Sequence, residues 1–411
     1  MTRRGLAAAT LAAVLVVAGC QAPVAGPADG SLAPDGGPDS ADRVPANITV
    51  QNGTLAVDPG LVFARVGTVA GTNVTPPERV RAFDDESDYG NASLGGGGLP
   101  PFQEAVGLKT GPVPNASDIG LQFAGQTSAL GTVVVYAAPN ATADDARLVV
   151  AHEFVHYIQF KQGRSTQLRQ RVGSGTTDGS YVVRSLLEGA AVYTTDAYLE
   201  RYTDNGTRNS PVYRAIAGAL PPGHVARYGN SQYVEGAEYV ASRVDDPADI
   251  PRIYRSPPTT SEQVIHNLSA DEEPPVPLEA SVEPAEGWRE VGTDRLGEAF
   301  VRTTLAVGVP QARADRAAAG WGNDRLYVYR TPDRADASYV WAFAWDDDAE
   351  AAEFERALRA YLDARGERRD SRWTLDSGLT ARVLTPTERS TVLVLGNGSF
   401  VAGTDAIVTV G

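Results

Sequence analysis

Hydrophobic residues recur with a helical period in two long segments near the middle of the chain. Over residues 143–162 the apolar side chains cover more than one face, which predicts a largely buried helix. Thr142 and Asp145 have the spacing of a capping box at its start, and Gly163 ends it. A second helical pattern covers residues 180–201. The sequence therefore predicts two adjacent buried helices.

The remaining patterns predict a mixed α+β fold. Residues 132–137 contain three successive valines and predict a strand, and a further helix is expected around residues 233–240. Residues 270–284 are rich in Pro and Glu, which indicates a linker. After it, helices and hairpins alternate, as is typical of a small α+β domain. We expect a first domain over residues 47–275 and a second, smaller one over residues 285–411.

The N-terminus has the pattern of an exported lipoprotein. Arg3 and Arg4 precede an apolar run, and Val-Ala-Gly-Cys ends at Cys20. In the lipoproteins that this segment resembles, residues 1–19 are a signal peptide and Cys20 is acylated. The Ala-, Pro- and Gly-rich residues 20–46 then form a disordered tether on the extracellular face of the membrane. The paired arginines leave twin-arginine and general export both open.

Composition narrows the class of partner. The 51 Asp and Glu residues exceed the 36 Lys and Arg residues and give a net charge of -15, which makes nucleic acid a poor partner. Lys109 and Lys161 are the only lysines; a halophilic source or a GC-rich genome would explain this bias. Glycosylation sequons are frequent, which suits a surface protein. They begin at Asn47, Asn52, Asn73, Asn91, Asn115, Asn140, Asn205, Asn267 and Asn397.

The first buried helix carries an H-E-x-x-H motif at His152, Glu153 and His156. Residues four apart on a helix lie about 40° apart around its axis, so both imidazoles can face one metal ion. Glu153 lies about 100° from His152, which lets it hold a water molecule without becoming a ligand. The structural alternative is a pair of core histidines whose hydrogen bonds are satisfied. The motif favours zinc.

A catalytic zinc takes three protein ligands and keeps one position open. Neither His224 nor His266 has the spacing of an extended histidine motif. The third ligand is therefore expected to be a carboxylate on a later element. Glu188 lies in an apolar stretch of the second helix, next to small residues that allow close helix packing. Glu235 lies in a similar Glu-Gly-Ala sequence and is the rival candidate.

The sequence H-E-F-V-H, followed by E-G-A-A on the next helix, resembles the gluzincin class of zinc metallopeptidases. The resemblance implies a zincin-like fold in which His152, His156 and Glu188 bind Zn2+. It implies that Glu153 is the general base for zinc-bound water that attacks a peptide bond. It also implies an edge strand, expected over residues 132–137, that pairs with an extended substrate.

The chain departs from the thermolysin-type pattern at Val192, where an Asp orients a ligand histidine in that pattern. Asp196 is a weak substitute because it lies about 80° off the required face. Peptide hydrolysis also needs a donor for the oxyanion. The candidates for an oxyanion or substrate contact are His224, Tyr228, Tyr233 and His266.

A more diffuse resemblance covers most of the mature chain, to surface lipoproteins of haloarchaea whose function is not established. It is carried by the Ser-Glu-Gln segment 261–263 with His266, and by the Gly-Trp-Gly turn 320–322. Farther along, Asp346 to Asp348 allow a calcium cluster or the start of a helix. The helix start is favoured because acids stabilise a helix N-terminus and EF-hand spacing is missing.

These patterns predict a lipid-anchored extracellular zinc metallopeptidase that acts on a peptide or protein substrate. The alternative from another class is a noncatalytic surface lipoprotein, with a binding or structural role, that retains a zincin-like metal site. Glu153 discriminates between them, because a structural site has no use for a base beside an open zinc position. A metal hydrolase that acts on a non-peptide amide is the third possibility.

Overall fold

The computed structural model describes residues 20–22, 45–84, 99–110, 123–137, 141–203, 208–333 and 337–411. The fold is mixed α+β, as predicted: a helical part with a small sheet precedes a β-rich C-terminal part. The predicted signal peptide and most of the predicted tether lie outside the described residues. Within the described ranges, no helix is both long and apolar enough to cross a bilayer.

The first part contains a five-stranded mixed sheet. Its strands are β1 (Cys20–Ala22), β2 (Thr49–Gln51), β3 (Arg79–Phe83), β4 (Phe123–Thr127) and β5 (Val133–Ala137). Their order across the sheet is β1-β4-β5-β3-β2. β5 pairs in parallel with β3 and antiparallel with β4, so both of its edges are hydrogen-bonded. The expectation that residues 132–137 form an edge strand is therefore wrong. Val133 and Val135 are fully buried, as suits a central strand.

Helices cover the sheet and extend beyond it. They are α1 (Pro59–Val69), α2 (Pro101–Ala105), α3 (Ala143–Lys161), α4 (Arg164–Val172), α5 (Thr177–Tyr202), α6 (Asn209–Ala219), α7 (Val225–Arg243), α8 (Pro251–Arg255) and α9 (Ser261–Ile265). The predicted helix start at Thr142 is confirmed, because Thr142 and Asp145 form a reciprocal capping box. α3 packs between α1, α5 and the sheet, and most of its side chains are buried.

The C-terminal part is built on a seven-stranded antiparallel sheet. Its elements are β6 (Leu278–Glu283), β7 (Arg289–Asp294), α10 (Glu298–Leu305), α11 (Gln311–Ala318), β8 (Trp321–Arg330), β9 (Ala337–Trp345), α12 (Asp348–Asp363), β10 (Gly366–Arg369), β11 (Arg372–Leu375), β12 (Thr380–Thr387), β13 (Ser390–Gly396), α13 (Gly398–Gly403) and β14 (Asp405–Val410). The sheet order is β10-β11-β12-β13-β9-β8-β7.

Both faces of this sheet are covered, and alternate side chains of β9 serve the two cores. Trp341 and Phe343 pack against the helices on one face, whereas Val340 and Ala342 pack against the pair β6 and β14 on the other. Because β6 pairs with β14 along its whole length, residues 278–283 are a strand rather than part of the predicted linker.

The two parts share a hydrophobic core. Phe102 of α2, which belongs to the first part by sequence, packs against Phe300, Tyr339 and Trp341 of the C-terminal part. The hydroxyl group of Tyr361 also donates a 2.7 Å hydrogen bond to the Val106 carbonyl. The segment around α2 therefore contributes to the C-terminal core.

Candidate metal centre

Three buried donor atoms converge between α3 and α5. The Nε2 atoms of His152 and His156 lie 3.1 Å apart, and Glu188 Oε2 lies 3.0 Å from His156 Nε2 and 3.5 Å from His152 Nε2. Ligands bound tetrahedrally at zinc distances of 2.0–2.1 Å lie about 3.3 Å from one another. Two imidazoles and one carboxylate form a catalytic zinc donor set, so these residues fit the metal that the sequence predicts.

Each histidine ring has a side-chain contact at Nδ1, which leaves its Nε2 available to a metal ion. His156 Nδ1 lies 2.9 Å from Gln159 Oε1, and the Gln159 amide also donates to the Leu187 carbonyl and the Tyr254 hydroxyl. The amide oxygen of Gln159 therefore accepts from Nδ1–H. Hydrogen bonds of this kind fix the tautomer and the ring orientation of metal-binding histidines. Gln159 therefore holds the His156 ring with its Nε2 towards His152 and Glu188.

Asn209 contacts the ring of His152. The side-chain amide lies 3.3 Å from His152 Nδ1, and Asn209 Oδ1 is buried without a hydrogen-bond partner among the described residues. Exchanging the amide oxygen and nitrogen lets Nδ1–H donate to Oδ1, which resolves the orphaned acceptor and frees Nε2 for a metal. Asp196 accepts hydrogen bonds from the backbone of Asn209 and from Ser210. Asp196 therefore positions Asn209, and Asn209 contacts the histidine directly.

Val192 lies at the position where the thermolysin-type pattern has an Asp. It is fully buried and packs in a small cluster with Tyr213, Tyr233 and Ala237. Tyr213 and Tyr233 stack with ring centroids 4.3 Å apart, and Tyr233 lies 6.3 Å from the His152 ring. An apolar wall beside His152 thus replaces the expected carboxylate. Asn209 takes over the contact with the imidazole.

The charges within the cluster are strongly coupled. Burial disfavours the imidazolium form of His156, but the adjacent Glu188 carboxylate outweighs it and raises the pKa of His156 to about 9. Burial acts to raise the pKa of Glu188, but His156 and a hydrogen bond with His152 hold that pKa well below its ordinary value. Without metal, the pair therefore carries a proton at neutral pH, which a metal ion bound at these residues would have to displace.

Glu153 lies between the cluster and the sheet. Thr127 Oγ1 donates a 2.7 Å hydrogen bond to Glu153 Oε2, and both residues are buried. Gly125 leaves room for the carboxylate, because a Cβ atom there would lie 2.6 Å from Glu153 Oε1. β4, which carries Gly125 and Thr127, thus lies directly against Glu153. The strand beside the histidine cluster is therefore β4, whereas the sequence predicted β5 in this position.

The outer edge of β4 accepts an extended segment of this chain. Cys20 pairs antiparallel with Gly125, and Ala22 pairs with Phe123. The same segment, β1, also lies against α3 and α6. The backbone at Cys20, the predicted lipidation site, is therefore paired with the strand that contacts Glu153. An extended chain at this edge runs past the predicted general base.

The other predicted oxyanion or substrate residues lie in varied surroundings. His224 caps α7, where its Nδ1 accepts from the Ala226 amide. Tyr228 packs between Tyr181 and Phe300. His266 lies 3.1 Å from Glu298. Of the four candidates, Tyr233 is the one whose ring the structure brings beside a predicted ligand. The oxyanion assignment stays a prediction.

Glu235, the rival third ligand, lies outside the histidine cluster. Among the described residues, His152, His156 and Glu188 form the one group of metal-type side chains that contains histidine. Burial raises the pKa of Glu235 to about 7, against the opposing effect of Arg302. The structure therefore brings Glu188, and not Glu235, to the histidines.

Gln159 and Asn209 were missed in the sequence analysis. Gln159 lies three residues after His156, and helical spacing alone places the two side chains as neighbours. That signal was available. Asn209 carries no local signal, because its approach to His152 depends on how α6 packs. Gly125 and Thr127 likewise depend on long-range packing of β4 against α3.

In the comparison with known proteins, the match that was found lies in the C-terminal part of the chain. Residues 278–407 match a protein family described as a domain of unknown function, DUF8575. No curated protein and no solved structure matches the chain. The matched residues run from β6 to β14 and do not include the histidine cluster, so the match carries no activity with it.

Proposed function

We propose that this protein is a zinc-dependent peptidase of gluzincin type. The observation that carries the proposal is the convergence of His152, His156 and Glu188 at zinc-ligand spacing, with Glu153 between them and β4, whose outer edge pairs with the extended segment Cys20–Ala22. Zinc bound there would polarise a peptide carbonyl and lower the pKa of a water molecule towards 7.

The residues of this chain have separate roles in the proposed reaction. Glu153 takes a proton from the attacking water and delivers it to the leaving amine. Thr127 holds the Glu153 carboxylate in place through its 2.7 Å hydrogen bond. Gln159 and Asn209 orient the two imidazoles. Tyr233, beside His152, is the proposed contact for substrate or oxyanion.

An extended peptide is the proposed substrate because β4 accepts one. Cys20–Ala22 already pairs with β4 opposite Gly125, whose missing side chain makes space for Glu153. A substrate that replaces this segment at the same edge gains its backbone hydrogen bonds and passes the general base. Such recognition depends little on side chains, so the substrate class is unfolded or extended polypeptide.

Export and anchoring complete the proposal. The pattern that ends at Cys20 supports an acylated lipoprotein on the outer face of the membrane. Radiolabelled fatty acid incorporated into the wild type, and absent from Cys20→Ala, is the expected result. Equal labelling of the two would exclude lipidation at Cys20.

The catalytic proposal is tested by separating zinc binding from hydrolysis. Glu153→Gln should retain one zinc per chain and lose about 100-fold or more of its rate on a quenched fluorescent peptide library. Glu200→Gln is the matched control, because Glu200 is an exposed acid on α5. Full zinc content with unchanged hydrolysis in Glu153→Gln would contradict the assigned base. A zinc-loaded wild type that cleaves nothing in the library would instead favour a noncatalytic surface protein.

A further inference from the structure

A second group of metal-type side chains contains acids alone and shares no residue with the histidine cluster. One carboxylate oxygen from each of Glu262, Glu273 and Asp346 falls within 4.8 Å of the others. Glu262 belongs to α9, Glu273 lies in the loop before β6, and Asp346 immediately follows β9. The three residues thus join segments that are distant in sequence.

Glu262 differs from the other buried acids of this region. Its side chain is only 2% exposed, and its Oε1 has no hydrogen-bond partner among the described residues. Asp178 pairs with Arg295, and Glu298 pairs with Arg302. A buried carboxylate without a partner is expensive, because it loses hydration and gains nothing in exchange.

Asp324 shows what a satisfied buried acid looks like in the same core. It accepts hydrogen bonds from the backbone amides of Leu296 and Gly297, and from the indole groups of Trp321 and Trp341. The surroundings of Glu262 offer further acids instead. Burial, followed by the charges of Glu298, Asp346 and Glu273, raises the pKa of Glu262 to about 10.

The three carboxylates are held near one another by the fold. The side chain of Gln263, next to Glu262, donates to the carbonyls of Ala270 and Glu272, which ties the loop that carries Glu273 to α9. The backbone amide of Asp346, the residue after β9, donates to the carbonyl of Gly320, the residue before β8. Arg389 acts electrostatically on Asp346, but its Nε donates to the Trp345 carbonyl.

Asp346 is separate from the helix start that follows it. Asp347 accepts from the amides of Ala349 and Glu350 and is the N-cap of α12, so the predicted helix start is confirmed. Asp346 is not needed as a cap. Its carboxylate instead lies with two acids from other segments, an association that local sequence spacing does not reveal.

We propose that Glu262, Glu273 and Asp346 form a calcium-binding site that joins α9 to the C-terminal sheet. The ligand set contains only carboxylate oxygens, which are the ligands of hard divalent cations. Two oxygens bound to one Ca2+ at about 2.4 Å are at most about 4.8 Å apart, which matches the grouping. Calcium suits three carboxylates from separate segments because its coordination is flexible, whereas Mg2+ demands a near-ideal octahedron.

The site would link the two parts of the molecule. α9 packs against α5 and α7, and α5 supplies Glu188. Asp346 immediately follows β9, a central strand of the C-terminal sheet. Calcium would therefore fasten the C-terminal sheet to the helices that support the histidine cluster. It would also neutralise Glu262, whose Oε1 has no hydrogen-bond partner within the part of the chain that the structure describes.

Thermal unfolding of the full, zinc-saturated chain tests the proposal at constant high salt. CaCl2 at about 100 times the dissociation constant should raise the Tm by about 2–4 °C. Equilibrium dialysis should give one Ca2+ per chain. Glu262→Gln should lose both the shift and the bound ion. Glu279→Gln, the same change at an exposed acid of β6, should keep both.

Three results would overturn the proposal. An unchanged Tm with no bound Ca2+ would leave Glu262 as a protonated core acid. A calcium shift that survives in Glu262→Gln would move the ion elsewhere. MgCl2 that matches or exceeds CaCl2 would refute the choice of calcium. The calcium shift should persist in Glu188→Ala, which separates this site from the histidine cluster whether or not the peptidase proposal holds.

Discussion

Two helices of this protein carry the same Glu-Gly-Ala sequence and use it differently. α5 contains Glu188 and Gly189, and α7 contains Glu235 and Gly236. The two glycines meet where the helices cross: a Cβ atom on Gly189 would lie 2.1 Å from the Gly236 carbonyl carbon. One on Gly236 would lie 2.0 Å from the Ser185 carbonyl oxygen. The glycines therefore serve the same close contact.

The two glutamates have different neighbours. Glu188 lies 3.0 Å from His156, whereas the positive charge that acts most strongly on Glu235 is that of Arg302. α5 faces α3, which carries the histidines, and α7 contacts α10, which carries Arg302. A short motif thus specifies how two helices pack. The chemistry of its acid depends on which third helix lies opposite.

The largest expected effect comes from disrupting the close glycine contact between α5 and α7. Gly189→Ala and Gly236→Ala should each destabilise the protein by about 3 kcal/mol, because a methyl group there would collide with backbone that cannot yield locally. Chemical denaturation measures the free energy of unfolding. Gly229→Ala, on α7 where nothing lies within 4 Å, is the control and should be neutral or slightly stabilising. Equal stability of all three variants would refute the close crossing.

Glu235 should make the free energy of unfolding depend on pH. Its pKa of about 7 in the folded protein exceeds the ordinary 4.5, so the folded state holds a proton that the unfolded chain releases. The contribution of Glu235 to the stability of the wild type therefore falls as pH rises from 4.5 to 7, and it is constant above that. Glu235→Gln should gain about 3 kcal/mol over the wild type at pH 8 and nothing at pH 4. A difference independent of pH between these values would contradict the burial of this carboxyl group.

A smaller effect is expected at the contact that replaces the missing carboxylate. Asn209→Ala should weaken zinc binding about tenfold, because His152 loses the partner that orients its ring. Competition with a zinc chelator measures the affinity. Asn209→Asp should retain or strengthen binding, since a carboxylate accepts the same Nδ1–H bond. An unchanged affinity in Asn209→Ala would show that the imidazole is oriented by packing alone.

Local patterns predicted the parts of the site that one helix determines. The spacing of His152 and His156 and the capping box at Thr142 both follow from helix geometry, and the structure has both. Glu188 was favoured over Glu235 on the usual order of helices in gluzincins. The two sequences themselves do not distinguish the glutamates. Their difference arises from tertiary packing.

The predictions of a linker over residues 278–283 and of an edge strand over residues 132–137 were wrong because tertiary packing determines both features. Residues 278–283 alternate as a strand does, but the prolines around them favoured a linker, and only the pairing with β14 shows otherwise. β5 is central because β4 covers its free edge, which no property of residues 132–137 indicates. The contribution of α2 to the C-terminal core also depends on contacts between residues more than two hundred positions apart.

Zinc content is the direct test of the proposal that His152, His156 and Glu188 bind a zinc ion. The wild type, Glu188→Ala and Glu235→Ala are purified as full chains, saturated with zinc, dialysed and measured by elemental analysis. We expect one zinc per chain in the wild type and in Glu235→Ala, and none retained in Glu188→Ala, because of these two glutamates it is Glu188 that reaches the histidines. Zinc retained in Glu188→Ala at wild-type affinity, or absent from the wild type after saturation, would contradict the proposal.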